Sequence, residues 1–111
     1  MKVKKIYNDV YGQLFVFAIQ EHPDEVFNKY GINIPSQSSG KCVSNEEFMI
    51  IAVGTDEIFN TIAHECYHAI EFLWDERGIE KIQGTDEAFA YMVGWLTNKC
   101  LDFFIKQTSD E

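Results

Sequence analysis

Basic side chains are scarce in this sequence: nine Lys and Arg stand against eighteen Asp and Glu, a net charge of −9. Nucleic-acid binding draws on a basic footprint that neutralises phosphates. None is visible, so nucleic acid is not an expected partner. The one basic cluster, Lys2, Lys4 and Lys5, reads as a solvated edge strand whose charges deter aggregation. Cysteine is sparse too. Cys42, Cys66 and Cys100 are odd in number and widely spaced, which provides neither a disulfide framework nor a C-x-x-C pair. Buried reduced thiols in a reducing compartment are the expectation. Long apolar runs are missing. The run Leu14 to Ile19 is too short for a signal-peptide core and lies behind Asn8, Asp9, Gly12 and Gln13. No stretch is long enough to span a bilayer. A soluble cytoplasmic protein without a membrane partner is expected.

What is present is enough apolar material for one domain with one modest core: 111 residues, 46% hydrophobic and 14% aromatic. A domain this short buries a smaller share of its surface than a large one, so a bound metal would matter for stability as well as chemistry.

Along the chain, residues 2–7 have the β-branched and aromatic content of a strand, and Asn8, Asp9 and Gly12 supply turn chemistry. Leu14 to Ile19 predicts a second strand, apolar on both faces and paired with the first as a hairpin. His22-Pro23-Asp24-Glu25 reads as a helix start, with proline suited to the first position and acids to the first turn. Gly31 stops that helix at Tyr30. Residues 33–47 are polar and form the longest loop. Phe48 to Val53 predicts a third strand. Thr55 then caps a helix running to about Arg77, with Gly78 just past its end. A last helix begins near Thr85 and continues to about Ile105. The order β-β-α-β-α-α is an α+β pattern, a small sheet of about three strands packed on two C-terminal helices.

His64-Glu65-Cys66-Tyr67-His68 is an H-E-x-x-H motif on the predicted long helix. Residues four apart lie one above the other on a helix, so both imidazoles can reach one ion. Zinc takes histidine nitrogen at about 2.0–2.1 Å in a tetrahedral set. The intervening Glu65 is then anchored where it can take a proton from water. On a helical wheel Phe59, Ile62, Ala63, Cys66, Ile70 and Leu73 group on one side. His64 and His68 fall opposite, beside Thr61, Glu65 and Phe72, so they are not members of the main apolar stripe. The blander reading is a pair of ordinary histidines. His22, beside Pro23, is read as a helix-entry residue.

Catalytic zinc uses three protein ligands and keeps one open position. The best third ligand is Glu87, at the start of the last helix, which a short connection from Gly78 to Gly84 folds back against the motif helix. Asp86 is the nearest rival. Glu87 is preferred because Tyr91, Gly94 and Asn98 continue its stripe, and Gly94 would let the helices approach closely. Without a metal, Glu87 would serve the helix dipole. The aromatics Phe72, Trp74, Phe89, Trp95, Phe103 and Phe104 read as core.

The spacing His64-Glu65-x-x-His68, eighteen residues, Glu87, resembles the gluzincin branch of the zincin metallopeptidases. The text Asp86-Glu87-Ala88-Phe89-Ala90-Tyr91 is similar to the Glu-bearing helix of those enzymes. Small HExxH proteins of phages and other mobile elements are similar as well. The likeness covers roughly residues 55–97. It implies a minimal zincin-like fold and a zinc peptidase acting on a peptide or protein substrate. His64, His68 and Glu87 would be its ligands to one zinc ion and Glu65 its general base. It also implies an oxyanion-steadying helper, for which Tyr91 is the candidate, with a packing role as the alternative. In zincin-like sheets an edge strand pairs with an extended peptide substrate. Phe48 to Val53 is either that strand or a buried central one. Two functions follow: a metallopeptidase, or a non-catalytic zinc-stabilised domain that binds a protein partner. Glu65 favours the first, because a structural site needs no base.

Overall fold

The computed structural model describes residues 1–22, 24–34 and 39–109. Its elements are β1 (Lys2–Asn8), β2 (Gln13–Ile19), α1 (Glu25–Tyr30), β3 (Gly40–Ser44), β4 (Met49–Val53), α2 (Ile58–Glu76) and α3 (Asp86–Ser109). They form one α+β unit around a four-stranded sheet of order β1-β2-β4-β3. The apolar runs occupy its centre. β2 pairs antiparallel with β1 in the expected hairpin and parallel with β4. Phe15, Phe17 and Ile19 stand beside Met49, Ile51 and Val53 and pack with Ile62, Cys66, Ile70 and Leu73 of α2 and Leu96 and Cys100 of α3. Val16, Ala18, Ile50 and Ala52 point to the other face and pack with Val26 of α1. Two buried faces explain why these strands are continuously apolar rather than alternating. β1 lies at one sheet edge, in line with its lysines.

β3 corrects the expected strand count. It lies inside residues 33–47, read as loop, because Gly40-Lys-Cys-Val-Ser has no apolar run and every residue of it is only half-buried. It is specified by its neighbour: β4 supplies an antiparallel ladder from Gly40↔Val53 to Ser44↔Met49. The turn back is built by Asn45, whose Oδ1 accepts the N–H groups of Glu47 and Phe48 at 2.9 and 2.8 Å. Met49–Val53 is thus a central strand, and the edge next to α2 belongs to β3.

α1 ends as expected, with Gly31 at φ 71° donating its N–H to Phe27 O at 2.7 Å. Pro23 lies outside the described residues, as do residues 35–38 of the loop. Glu25 accepts the backbone N–H groups of Glu21 and His22 and the Met1 ammonium, each at 2.7 Å. These donors, the ammonium foremost, hold its carboxyl down to about 2 from an ordinary 4.5. A depressed folded-state value contributes stability above pH 4.5 that is lost as pH falls toward 2. Glu25→Gln is therefore expected to lower the urea midpoint near neutrality and to match the native protein at the acid end. A constant difference across that window would exclude the linkage.

α2 begins at Ile58, three residues after Thr55, with Glu57 at φ 47° in the cap position. α3 runs antiparallel to α2: Phe59 meets Phe104 at 5.5 Å, and Trp74 meets Phe89 at 5.2 Å between ring centroids. Among the described residues no helix is long and apolar enough to cross a membrane.

Candidate metal centre

The motif sits in the middle of α2, where backbone hydrogen bonds fix every φ and ψ and one helical turn separates His64 from His68. Their Nε2 atoms face each other at 3.2 Å. Two nitrogens bound to one tetrahedral zinc at about 2.0–2.1 Å would stand about 3.3–3.4 Å apart, so the spacing of the pair is close to that of two ligands to one ion. Without an ion, the same contact is a hydrogen bond between imidazoles. His68 is further held by Glu71, whose Oε1 lies 2.8 Å from Nδ1. A carboxylate only accepts, so Nδ1 is the donor in this contact, which in the neutral ring leaves the lone pair on Nε2, the nitrogen that faces His64. Phe72 stacks on the His68 ring with the planes 20° apart. Phe72 is 40% exposed, not core as the sequence suggests.

Glu65 is only 6% exposed. β3 buries it. A Cβ on Gly40 would come within 2.7 Å of Thr61 Cγ2, 2.8 Å of Ala52 O and 3.2 Å of Glu65 Cγ, so only glycine lets β3 lie this close to α2. Burial raises the Glu65 carboxyl above its ordinary value, and nearby His64 and His68 partly oppose that rise. The carboxylate and His64 share a cleft of about 290 Å³ with Ser39, Gly40, Asn60 and Thr61. Gly40→Ala is expected to destabilise the fold by ~1–3 kcal/mol through overpacking, because the backbone oxygen of Ala52 cannot step aside. Urea unfolding checks this, and an unchanged midpoint would mean that β3 can lift off α2 without cost.

Glu87 and Tyr91 are placed elsewhere. Both are exposed, and with Ala90, Gly94, Trp95 and Asn98 they line a groove along the outside of α3. The face of α3 turned to the core carries Phe89, Leu96 and Cys100. Nothing lies within 4 Å of a Cβ built on Gly94. The stripe Glu87-Tyr91-Gly94-Asn98 therefore does not face α2, and Gly94 is no point of close approach. Among the described residues no set of three His, Cys, Asp or Glu side chains is gathered as a metal ion needs: His64 and His68 are brought together, and Glu87 does not join them. Asp86 instead accepts the Glu87 N–H at 2.9 Å.

The thiols form no disulfide among the described residues. Cys66 and Cys100 are buried with sulfurs 3.8 Å apart, and Cys42 is half-buried on β3; all three are free, and burial pushes the Cys42 thiol up. A larger groove, about 550 Å³, lies at the far end of β3 and contains no histidine. Part of its polar lining is used internally, Ser44 donating to Glu76 and Arg77 to Tyr11 O. Glu71 is the site residue that motif reasoning passes over, although its place three residues after His68 signals a neighbour on one helix face. Compared with known proteins, the chain matches no family model, no curated protein and no solved structure.

Proposed function

We propose that this chain is a zinc-dependent hydrolase that cleaves a peptide bond, with His64 and His68 holding the ion and Glu65 acting as general base. The observation that carries the reading is the convergence of the two Nε2 atoms at 3.2 Å beside a buried carboxylate. A zinc ion bound there would polarise a carbonyl and lower the pKa of water toward about 7. Glu65 would take the proton of the attacking water on its carboxylate and pass it to the leaving amine. Burial raises its carboxyl, which favours its holding that proton between the two transfers. Glu87 is retained in the proposal as the third ligand, as the gluzincin resemblance implies; its side chain would have to reach the histidine pair. In a zincin-like arrangement the edge strand β3, seated against α2 at Gly40, is where an extended peptide would add by strand pairing.

The test is a peptide-library digest read by mass spectrometry, with zinc-loaded and chelator-treated protein side by side. Cleavage that disappears with the metal and returns on adding zinc supports the reading. Cleavage that persists in full after chelation would refute it.

A further inference from the structure

We propose that Glu71 is a positioning residue for the metal centre, orienting the His68 imidazole so that Nε2 presents its lone pair to the ion; this rests on the zinc reading above. His68 is gripped from several sides. Its Nδ1 donates to Glu71 Oε1 at 2.8 Å, the Phe72 ring stands near-parallel to it with centroids 6.2 Å apart, and Tyr67 meets it edge-on at 6.0 Å. Only Glu71 among these decides which nitrogen carries the hydrogen. A histidine that donates one ring N–H to a carboxylate is fixed in tautomer and orientation, and the opposite nitrogen becomes a better ligand.

The pair has little to offer stability. Its partners are 39% and 41% exposed and three residues apart on one helix, a class of contact that solvent and salt screen to a small effect. Its geometric consequence is larger, since it aims Nε2 of His68 at Nε2 of His64. Glu71 cannot itself be a ligand in this arrangement, because its carboxylate lies on the Nδ1 side of the ring, away from the meeting point.

The experiment compares the full chain with Glu71→Gln, Glu71→Ala and His64→Ala, each titrated with zinc against a chromogenic chelator. Loss of an outer partner of this kind commonly costs about 10–100-fold in metal affinity. Glu71→Ala is expected to show that loss. Glu71→Gln, which keeps an acceptor oxygen without the charge, is expected to recover part of it. The cobalt-substituted proteins should differ in their visible absorption bands, a signature that a merely structural helix contact would not move. Thermal unfolding with excess chelator should be the same for native chain and Glu71→Ala. If the native chain binds zinc and Glu71→Ala binds it equally tightly with an unchanged cobalt spectrum, the positioning role is overturned while the zinc reading stands. If the native chain and His64→Ala are alike in binding no zinc, the zinc reading itself fails.

Discussion

Glu65→Gln is expected to keep the fold and the zinc content while hydrolysis falls by about 10²–10⁴-fold, the usual cost of removing one essential base. The amide matches the carboxylate in shape, so the close seat of Gly40 on Thr61 and Glu65 is preserved. It is neutral, which suits a site where burial already disfavours the charged form. What it cannot do is accept the proton of the attacking water. Initial rates on a peptide taken from the library, together with zinc content and circular dichroism, separate these effects. A variant as fast as the native chain would remove Glu65 from the chemistry. If the native chain binds zinc, cuts neither library nor candidate host proteins, and binds a protein partner equally well with and without Glu65→Gln, then the non-catalytic interaction domain replaces the hydrolase.

The histidine pair is legible in the sequence because its geometry is local: a four-residue step on a helix brings two side chains together whatever the rest of the chain does. The strands β2 and β4 are legible because both sheet faces are covered and each carries a continuous apolar run, and β1 by its β-branched and aromatic residues. β3 is not, because an edge strand of half-buried residues is specified by the strand it joins. That single omission propagates. Without β3, Thr61 and Glu65 sit on what looks like the solvent side of the α2 wheel; with it they are 7% and 6% exposed. Phe59, assigned to the apolar stripe, is instead 58% exposed. The rotation of α3 is illegible for a different reason. Phe89, Tyr91, Met92, Val93, Trp95 and Leu96 surround that helix, so no one stripe stands out, and packing selects the Phe89-Leu96-Cys100 face. The choice of Glu87 over Asp86 by stripe continuity depended on that rotation. Glu71 was open to reading by its three-residue step from His68, yet a charged residue on a helix surface rarely invites a role beyond solvation.

Replacing both histidines is expected to abolish zinc binding, because each supplies a nitrogen to the proposed site and the described residues gather no three-group cluster that could take over. A ligand that binds only the folded state stabilises it by RT ln(1 + [L]/Kd), about 2.7 kcal/mol at a hundredfold excess over Kd. Zinc should therefore raise the unfolding midpoint of the native chain and leave that of the doubly substituted one unmoved. The most direct measurement is elemental analysis of protein purified without a metal-affinity tag, comparing the native chain, His64→Ala with His68→Ala, and Glu87→Ala. About one zinc per native chain is expected from a single tetrahedral site, with almost none in the double variant and a strong reduction in Glu87→Ala. Full zinc content in the double variant, or none in the native chain, would contradict a metal centre at His64 and His68.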